Sequence, residues 1–454
     1  MKILFVFGNA IYFNAYENVV RLLCRNGHYV KILHGEGRRS HPVDLSLRAM
    51  KAEVKNCESG PLRLRRKWQW LLYFTRRLLN RTPYLNPQHP SPWLVNRKTG
   101  FSRPMRILLD IPPAKALLKN KWFQQQLRKV EIAIPPDQAI LRWLEEHRPD
   151  VVVASPCLYG DHHETEYIKA AGALGIPTIV ALYSWDHLMT KGTFHIIPDW
   201  TLVWNQVLVD DAVRFHYVPK DKIFITGAPH FDTWFNMQPA LDRAAFCRQV
   251  GLDPNRPFVT YICSSLKGNE AKLVEEFART LATNPDTRHL AVLIRPYPSK
   301  PRIWDDFEEE NVVVWPKVGT IPDTPNAKSD YFHTFYYGIA TVGISTTAFL
   351  EAAVIDRPCV TIMTEAFRYE HRMGHFRYLL NADFLEGAHS FDEAAHILGD
   401  ILNGADAKAE NRHRFVREFI RPWGMDRSAS LVMAKVVETA ARRQPICAEE
   451  FVLE

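Results

Sequence analysis

The chain has 454 residues, of which 46% are hydrophobic and 24% charged, and a formal net charge of +7. That length exceeds one ordinary hydrophobic core and calls for two or three folded units, and the composition excludes extensive disorder. A charge of this size does not by itself indicate nucleic acid, and the seven cysteines, scattered singly with no C-x-x-C pair, signal neither a zinc site nor a disulfide framework.

The first apolar run, residues 3–7, reaches Gly8 too soon for the core of a signal peptide, and no uninterrupted apolar run approaches about eighteen residues. The protein is therefore expected in the cytoplasm. A strand over 2–7 is followed by a loop, a helix over 16–25 closed by Gly27 and a second strand over 28–33. After a long interruption come a helix over 137–147 and a buried strand over 150–154. The alternation continues with a helix over 163–174, strands over 177–182 and 200–204, a helix over 210–217 and a strand over 223–226.

Residues 227–239, with two prolines and several aromatics, break this pattern and are assigned as the linker. A second round has strands over 258–263, 290–295, 312–315, 339–343 and 359–363, with helices over 269–282 and 347–355. Helices over 391–402, 409–419 and 428–442 close the chain. Apolar strands alternating with amphipathic helices imply parallel sheets covered on both faces, hence an α/β protein of two doubly wound, Rossmann-like lobes. The expected domains are 1–228, with an insertion at about 35–135, then 240–425, then a helix and tail over 426–454.

The insertion holds most of the basic excess. Between 61 and 129 it carries sixteen lysines and arginines against Asp110 alone. Trp68, Trp70, Leu71, Leu72, Tyr73 and Phe74 follow Arg63, Arg65, Arg66 and Lys67, a mixture suited to an anionic membrane surface and equally to a helical subdomain with solvated charges. No base-reading motif accompanies it, so no nucleic-acid partner is expected.

Ligands of open parallel sheets bind beyond the carboxyl ends of the strands. In the second lobe, Ser345-Thr346-Thr347 joins a strand to a helix, where hydroxyls and backbone N–H groups suit an anion, and Glu351 lies one turn deeper, where a carboxylate can accept from two ribose hydroxyls. Residues 345–352 resemble the small-residue turn followed by Glu-Ala that grips the nucleotide in GT-B glycosyltransferases. Cys263-Ser264-Ser265-Leu266-Lys267-Gly268-Asn269 looks like the first strand-to-helix loop of the GT-B donor lobe, with Ser264, Ser265, Lys267 and Gly268 against the diphosphate. Arg295-Pro296-Tyr297-Pro298 is similar to the Arg-Pro-His-Pro element of bacterial surface-polysaccharide and polyol-phosphate transferases. Arg295 can clamp a phosphate or form a buried salt bridge, while Tyr297 replaces the family histidine, so no acid–base role carries over to it.

In the first lobe, Ser184-Trp185-Asp186-His187-Leu188-Met189-Thr190-Lys191-Gly192 follows a strand, and Thr226-Gly227-Ala228-Pro229-His230-Phe231-Asp232 ends the lobe; the series looks like the surface-carbohydrate branch of the GT-B superfamily. Asp186, His187, Asp161 and His163 are the candidate catalytic bases, each competing with a loop or cap role, and Asn9, Tyr12, Trp185 and Lys191 are candidate acceptor contacts. Residues 8–13 lack the G-x-G-x-x-G spacing and the Gly-Gly pattern of the peptidoglycan GlcNAc transferase.

The resemblance implies two lobes facing a central cleft and a metal-independent, cofactor-free transfer of sugar from a nucleotide-sugar donor to a glycan or lipid-linked acceptor. That implies bacterial surface-polysaccharide or glycolipid synthesis, and the membrane reading of the basic insertion, one of its two readings, adds peripheral contact with the inner face of the cytoplasmic membrane. Relatedness to UDP-GlcNAc 2-epimerase-like and CDP-glycerol glycerophosphotransferase-like proteins keeps a non-hydrolysing epimerase and a polyol-phosphate transferase as alternatives. A non-catalytic nucleotide- or carbohydrate-binding protein is the reading from another class.

Overall fold

Short segments of three to six residues, most of them apolar and rich in valine and isoleucine, pair as strands. The computed structural model describes residues 1–35, 57–61, 68–95, 100–158, 163–264, 270–298, 301–317, 322 and 324–451. The chain forms two units: Met1–Asp232 with Arg417–Glu454, and Thr233–Val416.

The first unit is built on β1 (Lys2–Phe7), β2 (Tyr29–His34), β3 (Cys57–Pro61), β4 (Val151–Ser155), β5 (Thr178–Ala181), β6 (Trp200–Val203) and β7 (Ile223–Ile225). They form one parallel sheet in the order β3-β2-β1-β4-β5-β6-β7. The order reverses between β1 and β4, which pair from Ile3 with Val151 to Phe7 with Ser155, so the loops leaving these two strands diverge to opposite faces. One core cluster joins Ile3, Phe5 and Phe7 to Val19, Val20 and Leu23 of the helix Glu17–Arg25 and to Val432, Met433 and Val436 of the helix Ala429–Ala441.

The closing helix is thus a layer of the first unit, and the second unit ends at Val416, earlier than the expected 425. The reason is a contact across 189 residues: Arg421 Nη2 donates to Asp232 Oδ1 at 2.9 Å, and Asp232 also accepts from the backbone N–H groups of Ala429 and Ser430, capping the last helix.

β3 falls inside the expected insertion, which therefore begins after the third strand. Its helices are Gln69–Leu85, Arg103–Asp110, Pro112–Lys119 and Lys121–Ala133, around a small core of Leu78, Leu85, Phe101, Leu109 and Leu118. Not all of its basic residues are solvated. Arg76 is fully buried, with Nη2 donating to Glu131 Oε1 at 2.6 Å and a further bond to Glu166, while Lys169 lies 3.6 Å from Glu131. Arg81, also buried, pairs with Asp110 at 2.7 Å. Asn80 Oδ1 accepts from Thr193 N–H at 2.8 Å and lies 3.0 Å from His195 Nε2, and a Cβ at Gly192 would sit 2.0 Å from that oxygen, which is why glycine stands there.

The second unit carries β8 (Phe258–Ile262), β9 (Ala291–Arg295), β10 (Val312–Val314), β11 (Thr341–Gly343), β12 (Cys359–Ile362) and β13 (Leu385–Ala388), all parallel, in the order β10-β9-β8-β11-β12-β13. Its switch point lies between β8 and β11. The helix Pro325–Tyr337 and β13 are absent from the sequence reading. Thr324 caps that helix, its Oγ1 accepting from Ala327 N–H at 3.2 Å, with Pro325 in the first turn.

Candidate functional site

The carboxyl ends of β9, β8 and β11 are neighbours in the second sheet, and the sequence delivers one polar group near each. Arg295 closes β9, Ser264 lies just beyond β8, and Glu351 sits in the helix Ala348–Val354 after β11. All three are buried: Arg295 is 5% exposed, Ser264 6% and Glu351 8%. Arg295 Nη1, Ser264 Oγ and Glu351 Oε2 each have no hydrogen-bond partner among the described residues. Buried polar atoms of this kind are rare, because each forfeits its hydration without replacement.

Tyr331 interacts with both Arg295 and Glu351. The Arg295 guanidinium lies over its ring at 5.3 Å from the centroid, a cation–π contact. Burial holds the Tyr331 hydroxyl well above the usual tyrosine range, with the Glu351 carboxyl adding to the effect and Arg295 opposing it. Burial lowers Arg295 to about 10, against the pull of Tyr331 and Asp330, so it stays cationic at neutral pH. Burial pushes the Glu351 carboxyl up to about 8, against a hydrogen bond from its own backbone N–H. Glu351 is therefore mostly protonated at neutral pH and can donate as well as accept, whereas the sequence alone suggested an ionised acceptor.

The turn between β11 and the Glu351 helix is held from beneath. The Ile344 carbonyl accepts from Thr361 Oγ1 at 2.7 Å and from His371 Nε2 at 3.1 Å, and burial lowers the His371 imidazole, keeping it neutral. A Cβ at Gly343 would lie 3.2 Å from the Ile262 carbonyl, so glycine lets this strand end approach β8 closely. Thr346 Oγ1 accepts from Ala348 N–H at 3.3 Å and so caps the turn, Ser345 is half-buried and Thr347 exposed. At β8, the N–H of Ser264 donates to Glu270 Oε1 at 3.2 Å, and Tyr261 donates to the same oxygen at 3.3 Å. Ser265, Lys267 and Gly268 lie outside the described residues.

In the first unit the loops after β1, β5 and β7 bring aromatic and imidazole rings together. Tyr12 meets Tyr183 at 4.6 Å between centroids, and Tyr183 lies 5.7 Å from His187 and 6.5 Å from His230. Asn9 Oδ1 accepts from Ile11 N–H at 3.1 Å and shapes the loop that presents Tyr12. Asp186 is tied locally: Oδ1 accepts from Ser184 Oγ at 2.5 Å and Oδ2 from Thr190 Oγ1 at 2.7 Å, so it anchors the turn that presents His187. Trp185 is 2% exposed and packs edge-on against Phe419, which makes it a core residue and leaves its side chain little surface for an acceptor. Lys191 is half-buried, its carbonyl accepting from Tyr84 of the insertion. His163 immediately precedes the helix Glu164–Ala173, and Asp161 lies outside the described residues.

Three residues escaped the sequence reading as site members. Tyr331 sits in the aromatic run 331–337, which has no helical periodicity to announce it; Tyr183 immediately precedes the stretch 184–192, and His230 lies within 226–232, a motif that was visible without a role for its histidine.

Comparison with solved structures decides the architecture. A putative UDP-N-acetylglucosamine 2-epimerase from Listeria monocytogenes superposes with a TM-score of 0.58 at 10% identity, over 98% of this chain and 97% of that one. A glycosyltransferase from Rickettsia africae gives 0.55 at 10% identity, over 98% and 99%. The fold is GT-B. UDP-GlcNAc 2-epimerase from Neisseria meningitidis, solved with UDP-GlcNAc bound, also has this GT-B fold, with a TM-score of 0.55 at 13% identity over 96% of this chain and 100% of that one. No family model matches the GT-B chain described here, and no curated protein matches its sequence.

Proposed function

We propose that this protein is a nucleotide-sugar-dependent glycosyltransferase whose second unit binds the donor. The observation that carries this reading is the set of buried, unpartnered polar atoms on Arg295, Ser264 and Glu351 at three adjacent strand ends. A nucleoside diphosphate supplies their complements: phosphate oxygens for the Arg295 fork and the Ser264 hydroxyl, and ribose hydroxyls for a protonated Glu351. The neighbours solved with UDP or UDP-GlcNAc share the fold and support the same ligand class.

In the proposed reaction an acceptor hydroxyl oxygen bonds to the anomeric carbon while that carbon's bond to the diphosphate breaks. The electron pair leaves with the diphosphate, where the Arg295 cation stabilises it, and no metal is needed for that charge. The acceptor proton goes to a base, for which His230, half-buried beside Tyr183, and His187 are the candidates among the imidazoles described in the first unit. Tyr12 and Tyr183 offer aromatic faces to a glycan or lipid-linked acceptor.

The epimerase alternative rests on the Listeria and Neisseria neighbours. Incubation with UDP-GlcNAc and other nucleotide sugars, followed by product analysis with and without acceptor, separates them. Glycoside formed only with acceptor supports transfer; a C2 epimer formed without acceptor overturns it.

A further inference from the structure

The insertion has a second apolar face besides its core. Trp70 is 72% exposed, Trp122 65%, Ile107 63% and Leu108 54%, although neighbouring positions Leu109 and Leu118 point inward and are buried. Large apolar side chains left exposed on three helices that already bury a core are surplus to folding and mark a contact surface. Its companions are cationic. Arg103, Lys115, Lys119 and Lys121 are exposed on the helices Arg103–Asp110, Pro112–Lys119 and Lys121–Ala133, whose two acids are engaged, Asp110 by Arg81 and the buried Glu131 by Arg76. At its edge Trp68, Trp70, Tyr73, Phe74, Phe101 and Met105 line a groove of about 750 Å³, with the Arg77 guanidinium 4.4 Å over the Tyr73 ring. No described helix is long and apolar enough to cross a membrane.

We infer that this face of the insertion lies in the interface of an anionic lipid bilayer, the tryptophans and aliphatic side chains entering the headgroup region and the lysines and arginines facing anionic headgroups. Two features select a bilayer over a protein partner: tryptophan together with aliphatic residues on an exposed helical face, and one sign of charge around it. The contact does not depend on which reaction the two units carry, because it is read without turnover. It also differs from the basic stretch 62–67, which lies outside the described residues; the tryptophans, Ile107 and Leu108, with the lysines between 115 and 121, form the face here.

The test is sedimentation of the full chain with phosphatidylcholine vesicles with and without about one-third phosphatidylglycerol, an anionic content ample for charge-dependent binding. Wild type is expected to partition at least tenfold more strongly onto the anionic vesicles. Trp70→Ala with Trp122→Ala is expected to lose most of that binding. Lys115→Ala with Lys119→Ala and Lys121→Ala is expected to lose roughly a hundredfold at low salt, about fivefold per lysine. Melting temperatures identify any variant that has not folded, and these exposed side chains predict none. Equal partition of wild type onto both vesicle types overturns the inference. So does full binding by the tryptophan variant, which would mean surface adsorption alone, or a dimer in light scattering that dissociates in that variant, which would assign the face to a second copy.

Discussion

Arg421 and Asp232 form a buried ion pair at the two points where the chain leaves and re-enters the first unit, 189 residues apart in sequence and 2.9 Å apart in space. Asp232 spends its remaining lone pairs on the N–H groups of Ala429 and Ser430, so one carboxylate both neutralises an arginine and starts the helix that completes the core. Asp232→Ala leaves Arg421 buried without its charge partner and uncaps the helix. The expected loss is about 3–5 kcal/mol in urea unfolding, with Asp232→Asn recovering part of it through the caps.

The insertion is fastened by charge. Arg76 reaches Glu131 within the insertion and Glu166 on the helix after β4. Arg76→Ala removes the shared cation from two buried carboxylates, leaving Glu131 with Lys169, and is expected to cost about 3–5 kcal/mol. Hydrogen exchange should locate the damage, with protection lost first over 69–133 and retained in β1 and β4.

Glu351 makes stability depend on pH in a direction opposite to most carboxylates. Its folded pKa of about 8 lies above the ordinary 4.5, so between these values the folded state holds a proton that the unfolded state has released. Stability contributed by neutral Glu351 is therefore complete below about pH 4.5 and is lost as pH rises through 8. The full difference is on the order of a few kcal/mol. Glu351→Gln should remove this slope: unfolding curves of the two proteins should converge near pH 5 and separate above pH 8, the variant being the more stable there.

Turnover should survive EDTA, because Arg295 supplies positive charge at the leaving diphosphate in the proposed reaction. A rate that falls with chelation and returns with a divalent cation contradicts that part of the account.

Much of the scaffold was legible from local pattern. Runs such as Val151-Val152-Val153 and Ala291-Val292-Leu293 can only be buried strands between amphipathic helices, and their order gave two parallel sheets. Ser345-Thr346-Thr347 gave the turn, and the four-residue spacing from Thr347 gave the Glu351 carboxyl one helical turn deeper. What stayed hidden depends on distance along the chain. Arg295 was visible, but that it forms no salt bridge among the described residues is a property of its three-dimensional surroundings. Arg76 and Arg81 read as solvated until Glu131, Glu166 and Asp110 are brought to them from 55, 90 and 29 residues away. Tyr331 lies in a run of aromatics whose helix is announced only by Thr324-Pro325.

The most direct measurement is the affinity of the protein for nucleoside diphosphates by calorimetry, across UDP, CDP, GDP and ADP, for wild type and Arg295→Met, alongside their unfolding stabilities. Wild type should bind one of them, and Arg295→Met should bind it at least a hundredfold more weakly while gaining about 1–3 kcal/mol of stability, since a buried guanidinium nitrogen without a partner has been removed. Equal affinity in the two proteins, or a variant that is both less stable and still binding, would contradict the donor site proposed for the second unit.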